Sequence, residues 1–425
     1  MTGAPFSGWG QPKASGLLSR LARIGAASRV PGRRAERTRH PGRGPWKARA
    51  CASAVALLLP APLAAAPLPL RDGLGLWFTT VDSAVMFDPQ AAAAALDFVQ
   101  SRGFQRVGIP LYSGGFVTWP LAPERNPLGL RLDPQLSRAE ATGQLLAGLG
   151  QRGVQRLGWL EFGLMAPPDA DWLRGRAELL LQTQEGSTLW AESPGLMRVW
   201  LNPVRPEVRQ ALVDLVVDAC TRLPLEAIQL DDHLGYPVRF GYDPTTLALW
   251  RQSAAGARQP TPPPNDPDWI AWRADRITDL LVAIRAAMRQ ACPQVRLSLA
   301  PHPQAFAYSE HLADWGRWLK KGLVDEVVVQ IYRRDPARVA WELAQPSLQE
   351  ARRLVPLRVG LLAGLRTQPK ATAVLQRELE LVQAAGIRGV DLFFYESARR
   401  HQLVPPLCPA QPLIGSNCQP PRPSS

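Results

Sequence analysis

Histidine and cysteine are scarce, five of each in 425 residues. No Cys/His spacing among them resembles a zinc site, which excludes finger and ribbon folds. The apolar run Ala50 to Leu59 is too short to cross a bilayer as a helix. Internal repeats are absent, and low-complexity sequence is confined to the leader and the Pro/Ser tail at 419–425. An excess of basic charge is missing from most of the chain as well. The formal net charge is +13, but residues 1–50 hold eleven Lys+Arg against one acid, Glu36, so +10 lies there and only +3 on the remaining 375 residues. The basicity belongs to a leader, and a nucleic-acid-binding face on the body of the protein is excluded.

That leader has the order of a secretory signal. Lys47 and Arg49 precede the apolar run, and Ala-Pro-Leu-Ala-Ala-Ala follows at 61–66. Cleavage is expected near Ala66 or Pro67, leaving an exported chain, in the periplasm or cell envelope, with no stable membrane span. Cys51 opens the apolar run instead of following it, which argues against a lipid anchor. Cys220 and Cys292 lie in apolar helical surroundings and read as small core residues. Cys408 and Cys418 flank a Pro-rich segment, where export would permit a bridge. The expected organisation is a leader and signal at 1–66, one folded unit at 67–400 and a Pro-rich tail at 401–425.

What is present is an alternation. Short β-type runs occur at Leu74–Thr80, Arg106–Tyr112, Gln155–Phe162, Ala227–Asp232, Val295–Pro301, Glu326–Tyr332, Leu357–Leu362 and Gly389–Tyr395. Helical patterns separate them, among them Pro89–Arg102, Arg138–Arg152, Pro206–Arg222, Trp269–Cys292, His311–Lys321 and Ala371–Ala385. Eight strands with crossover helices predict an α/β fold, a (β/α)8 TIM barrel. Two connections are long, 163–205 and 234–268, and both fall at the strand C-terminal face, where barrels place their chemistry. Met197–Pro203 within the first of them is expected to hold a short extra strand.

The stretch Ala-Ile-Gln-Leu-Asp-Asp-His at 227–233 carries the sharpest signal. Alternation along a strand puts Ile228 and Leu230 on one face and Gln229, Asp231 and His233 on the other. Ionised carboxylates are costly to bury alone, so a short apolar strand that ends in two of them suggests chemistry. A turn or helix cap built from Asp231 and Asp232 is the structural alternative. Other strand ends add Thr79–Ser83, Trp159 with Glu161, Ser298 with His302, Gln330 with Tyr332, and Tyr395 with Glu396. Carboxylates, amides and aromatic rings on one rim suit a sugar, which presents apolar faces and hydroxyl edges. Structural alternatives are an ion pair with a barrel arginine for Glu161, a helix cap for Glu396, a loop brace for His302 and core packing for Trp159. Trp269 and Trp272, at helical spacing, read as packing residues.

Nine ordered stretches then carry a resemblance: Gly75–Ser83, Trp159–Pro167, Trp200–Pro203, Ile228–His233, Phe240–Asp243, Leu299–Pro303, Gly322–Glu326, Val329–Arg333 and Phe393–Ser397. The chain resembles the family 10 glycosylhydrolase-like proteins of the bacterial envelope, a group that includes a divisome-localised peptidoglycan glycosyl hydrolase. The resemblance implies a (β/α)8 barrel, export and glycan hydrolysis, with peptidoglycan strands as the leading substrate. His302 departs from the asparagine expected in the group's Ser-Pro-Asn-Pro-type motif.

The expected activity is therefore glycoside hydrolysis by carboxylate general acid/base catalysis, with no cofactor or metal and a polysaccharide as partner. Asp231 is expected to meet the anomeric centre or its water, and Asp232 to tune it or exchange roles with it. Glu161 and Glu396 compete for the general acid. Trp159, Asn202, Gln229, His233, His302, Gln330 and Tyr332 are expected to bind the sugar. A non-catalytic glycan-binding barrel is the alternative. A metal-dependent hydrolase built on Asp231, Asp232, His233 and His302 is disfavoured, because adjacent Asp-Asp-His on one strand would not aim at one ion.

Overall fold

Eight parallel strands pair side by side until the last meets the first. In the computed structural model they are β1 (Leu74–Trp77), β2 (Phe104–Ser113), β3 (Gln155–Leu160), β4 (Ala227–Asp231), β5 (Arg296–Ala300), β6 (Glu326–Gln330), β7 (Leu357–Leu362) and β8 (Gly389–Phe393). Each pairs with its sequence neighbours, and the β1–β8 pairing closes the cylinder. The structure describes residues 73–193 and 196–401, so the leader, Cys51 and the Cys408/Cys418 pair lie outside the described residues. None of the helices described is long and apolar enough to cross a membrane.

The strands are buried on both faces, as parallel strands under crossover helices must be. In β6, Val327 and Val329 face outward into the helix-packed core, while Val328 faces inward with Trp77, Trp159 and Phe393. Ile228 and Leu230 of β4 join the outer core in the same way. Helix starts follow simple chemistry. α1 (Pro89–Ser101) is capped by Asp88, α4 (Pro244–Arg251) by Asp243 and α6 (Pro267–Ala291) by Asp266, each followed by proline at the first turn. Between them lie α2 (Ala141–Gln151), α3 (Pro206–Arg222) and α5 (Ala254–Arg258), and α4 and α5 are short helices inside the long 234–268 connection. In the other long connection, Leu196–Trp200 forms the expected extra strand, paired antiparallel with Met165–Ala166 and Trp190–Ser193.

One expectation is corrected here. Cys220 and Cys292 are joined in a disulfide, Cα to Cα 6.1 Å. They stand 72 residues apart, one in the last turn of α3 and the other at the end of α6. The two helices flank β4 from either side in sequence and pack together, which brings thiols that look like isolated core residues into bonding range.

Inside the cylinder the N-terminal half is filled by ions. Arg106 donates to both oxygens of Glu326 at 2.7 Å, Arg106 Nε lies 3.4 Å from Asp391, and Arg358 Nε donates to Asp391 at 3.0 Å. Gly75 makes room for this plug, since a Cβ there would lie 2.0 Å from the Asp391 carboxylate. Burial alone would raise the Glu326 carboxyl, yet the Arg106 guanidinium pulls it down to about 2. Ser298 links the plug upward, donating to Glu326 at 2.9 Å and accepting from Gln229 at 3.1 Å.

Candidate active site

Above the plug lies an aromatic floor. Trp77, Trp159 and Phe393 meet with ring centroids 6.2–6.4 Å apart, and Tyr332 lies 5.5 Å from Phe393. Trp159 is buried and packs within this floor. Gln229 is engaged too, accepting from Trp77 Nε1 at 2.6 Å while donating to Ser298. Asn202 braces the two long connections to each other, donating to Asp243 at 2.9 Å and to Thr246 at 3.0 Å. Each of these three residues is held by a neighbouring side chain.

The acids stand on the floor at the strand C-terminal ends. Asp231 is the last residue of β4, Asp232 opens the 3-10 turn that follows, and Glu161 comes directly after β3. The turn ends the strand alternation, so one carboxyl or imidazole atom from each of Asp231, Asp232 and His233 falls within 4.8 Å of the others. That corrects the expectation that adjacent residues here must diverge. Their atoms are already engaged with the protein. Gln330 Nε2 donates to Asp231 Oδ1, His302 Nε2 to Asp232 Oδ2 at 2.7 Å, and His233 Nδ1 to the Glu161 carbonyl at 2.7 Å. A carbonyl only accepts, so His233 carries its proton on Nδ1.

Gly163 lets the β3 and β4 ends come together. Its φ of +51° is a left-handed conformation, and a Cβ would lie 2.6 Å from the His233 carbonyl. Leu164 N donates to that carbonyl at 2.8 Å. Glu161 itself is 2% exposed and accepts from Ser113 Oγ at 2.5 Å. Ser113 in turn shares a hydrogen bond of 2.8 Å with Thr80. Thr80 falls in the Thr79–Ser83 strand end already read as part of the rim; Ser113 does not stand out in the sequence, although it ends β2 and could have been read off that strand end.

Burial dominates the electrostatics. It raises the Glu161 carboxyl to about 7; Ser113 and the Arg198 guanidinium oppose the rise, and Glu192 and Asp232 add to it. Burial and the neighbouring Asp232 hold Asp231 well above the ordinary carboxylate range, with Glu161 adding to both. Tyr332 is held well above its usual range by burial and then by the charges of Asp231 and Asp232. Glu396 accepts from Ser83 at 3.1 Å and from Arg399 at 2.5 Å, an ion pair three residues apart at a short helix. Two strands and two loops thus gather Glu161, Asp231 and Asp232 over one aromatic floor, and His302, Gln330 and Tyr332 line them.

The glycosyl hydrolase-like 10 family model matches residues 72–379. The chain belongs to that family. Its fold is a closed (β/α)8 barrel. The glycosyl hydrolase DigH of Escherichia coli K12 is 24% identical over 158 residues, 34% of this chain and 34% of that protein. The matched stretch therefore spans about a third of the curated relative's length. Among solved structures, the glycoside hydrolase domain of PgaB (BpsB) from Bordetella bronchiseptica aligns with TM-score 0.57 and 14% identity, covering 78% of this chain and 96% of that one. The α-L-fucosidase isoenzyme 2 of Paenibacillus thiaminolyticus aligns with TM-score 0.55 and 15% identity, covering 78% and 46%. At such identities the likeness shows the fold.

Proposed function

We propose that this glycosyl hydrolase-like 10 barrel cleaves a cell-envelope polysaccharide, with peptidoglycan glycan strands the first substrate to test. Glu161 would be the general acid, and the Asp231–Asp232 pair would supply the carboxylate at the anomeric centre. The observation that carries this reading is the Glu161 carboxyl, buried, lifted to about 7 and set near the buried Asp231 and the half-buried Asp232. An acid that keeps its proton near neutrality can give it to a leaving oxygen.

The pair is read as one charge on two carboxyls. Burial, and then the adjacent Asp232, disfavour ionisation of Asp231, while Asp232 accepts from His302. The close partners of Glu161 and Asp231 are a hydroxyl and an amide. An oxocarbenium-like transition state would bring positive charge to carboxyls whose close partners are neutral, which is differential binding of the kind that accelerates glycosyl transfer. Glu396 drops out of the competition for the acid, because its contacts belong to Arg399 and Ser83.

Export is part of the proposal. The signal-like leader supports it, and so does the Cys220–Cys292 bridge, since structural disulfides persist in oxidising compartments. The test is reducing-end release from purified glycan strands. Glu161→Gln and Asp231→Asn should each lower turnover by about 10²–10⁴-fold with the near-UV circular dichroism unchanged. Normal cleavage by either variant refutes the role assigned to that residue. Glycan binding without released ends from the unmodified chain would leave a binding barrel in its place.

A further inference from the structure

We propose that Ser113 and Thr80 form a two-hydroxyl brace that holds the Glu161 carboxyl in one place in both of its protonation states, which makes Ser113 a positioning residue. This rests on the role given to Glu161 above. The geometry carries it. Ser113 Oγ lies 2.5 Å from Glu161 Oε2 and 2.8 Å from Thr80 Oγ1. Ser113 is buried, whereas Thr80 is half-buried in the loop after β1. Three strand ends, those of β1, β2 and β3, thereby meet through one chain of oxygens.

A hydroxyl has one proton to give and two lone pairs to accept with. When Glu161 is ionised it can only accept, so Ser113 donates to it and Thr80 donates to Ser113. When Glu161 carries a proton, it can donate to Ser113, and Ser113 then donates to Thr80. Both states keep every link, and only the direction of donation reverses. A carboxyl that must lose and regain a proton in each turnover would otherwise need to find new partners in a buried site where an unmet polar group is costly. The Arg198 guanidinium cannot take over this role: it donates to Glu192 at 2.8 Å and lies 5.2 Å from the Phe162 ring centroid.

The ionisable groups that face Glu161 come from three sides. Asp231, Asp232 and His233 lie on β4 and its turn, Glu192 and Arg198 on the strands of the 163–205 connection, and Tyr332 after β6. None of them is altered by changes at Ser113 or Thr80, so a shift in the Glu161 titration reports the brace.

The test needs no substrate. The full chain is labelled with 13C at glutamate side-chain carboxyls, and the Glu161 resonance is assigned by its loss in Glu161→Gln. Ser113→Ala removes the link in both states, and the charge-assisted bond to the ionised carboxylate is the stronger of the two, so the Glu161 midpoint should rise by about one pH unit. Thr80→Val should raise it by less, because the chain that polarises Ser113 is cut. Ser113→Thr and Thr80→Ser, which keep the hydroxyls, should restore the wild-type midpoint. An unchanged midpoint in Ser113→Ala, or Thr80→Val indistinguishable from wild type, would overturn the brace. Should Ser113→Ala lose its native near-UV signature, the Thr80→Val and Thr80→Ser comparison decides alone. If Glu161→Gln still cleaves glycan, the catalytic reading fails while the titration result stands by itself.

Discussion

The two ends of the barrel interior hold similar acids under opposite conditions. At the N-terminal end, Glu326 and Asp391 are met by the guanidinium groups of Arg106 and Arg358. At the C-terminal end, Glu161 and Asp231 are equally buried, but their close partners are Ser113 and Gln330. Glu326 is drawn down to about 2 and Glu161 is pushed up to about 7. Burial acts the same way on both, so the difference is the presence of a matched cation. One layer holds the cylinder together. The other holds protons for use.

The sharpest way to break the comparison is to remove the cation. Arg106→Met should leave Glu326 and Asp391 buried and short of a partner, costing about 3–5 kcal/mol, read as the urea midpoint. Pairing it with Glu326→Gln should recover part of that loss. A change confined to Tm within error would mean that the plug is not what stabilises the N-terminal half. The bridge between α3 and α6 supplies a control that touches neither layer. Cys220→Ser with Cys292→Ser should cost about 3–4 kcal/mol, with the pH dependence of stability unaltered.

The smallest expected effect separates the layers by sign. Glu161 titrates near 7 in the folded chain against 4.5 for an unperturbed glutamate, so the native state alone holds that proton between those values. Stability should therefore fall as pH rises from 4.5 towards 7, by about 3 kcal/mol for this group, and Asp231 adds a slope of the same sign. Glu326 behaves in reverse. Its folded value near 2 lies below the unperturbed 4.5, so its contribution is complete above 4.5 and lost as pH falls towards 2. Urea titrations across pH should show Glu161→Gln flattening the first slope and Glu326→Gln the second. A variant that flattens the wrong one would refute the assignment of layers.

Much of this architecture was legible in the chain. The eight β-type runs overlap the eight barrel strands, because buried parallel strands are short apolar runs bounded by breakers. The short helices α4 and α5, Pro336–Leu343 and Pro346–Leu354 were not read, since stretches of five to nine residues carry little periodic signal. Glu161, Asp231 and Asp232 were legible because acids at strand ends are unusual. Asn202, Gln229 and Trp159 carry the amide and ring chemistry that suits a sugar, and the folded chain also ties each of them to a neighbour.

By itself, then, the sequence determined the barrel, the family and the strand ends where acids would stand, since periodicity and residue type are local properties. The tertiary structure alone decided which acids meet a cation and which meet each other. It also decided that Cys220 bonds Cys292, that the chain turns at Asp232 so that three side chains converge, and that Ser113 reaches Glu161. The turn is a local departure from strand geometry, and the others are contacts between segments far apart in the chain, where distance through space is what a linear pattern does not encode.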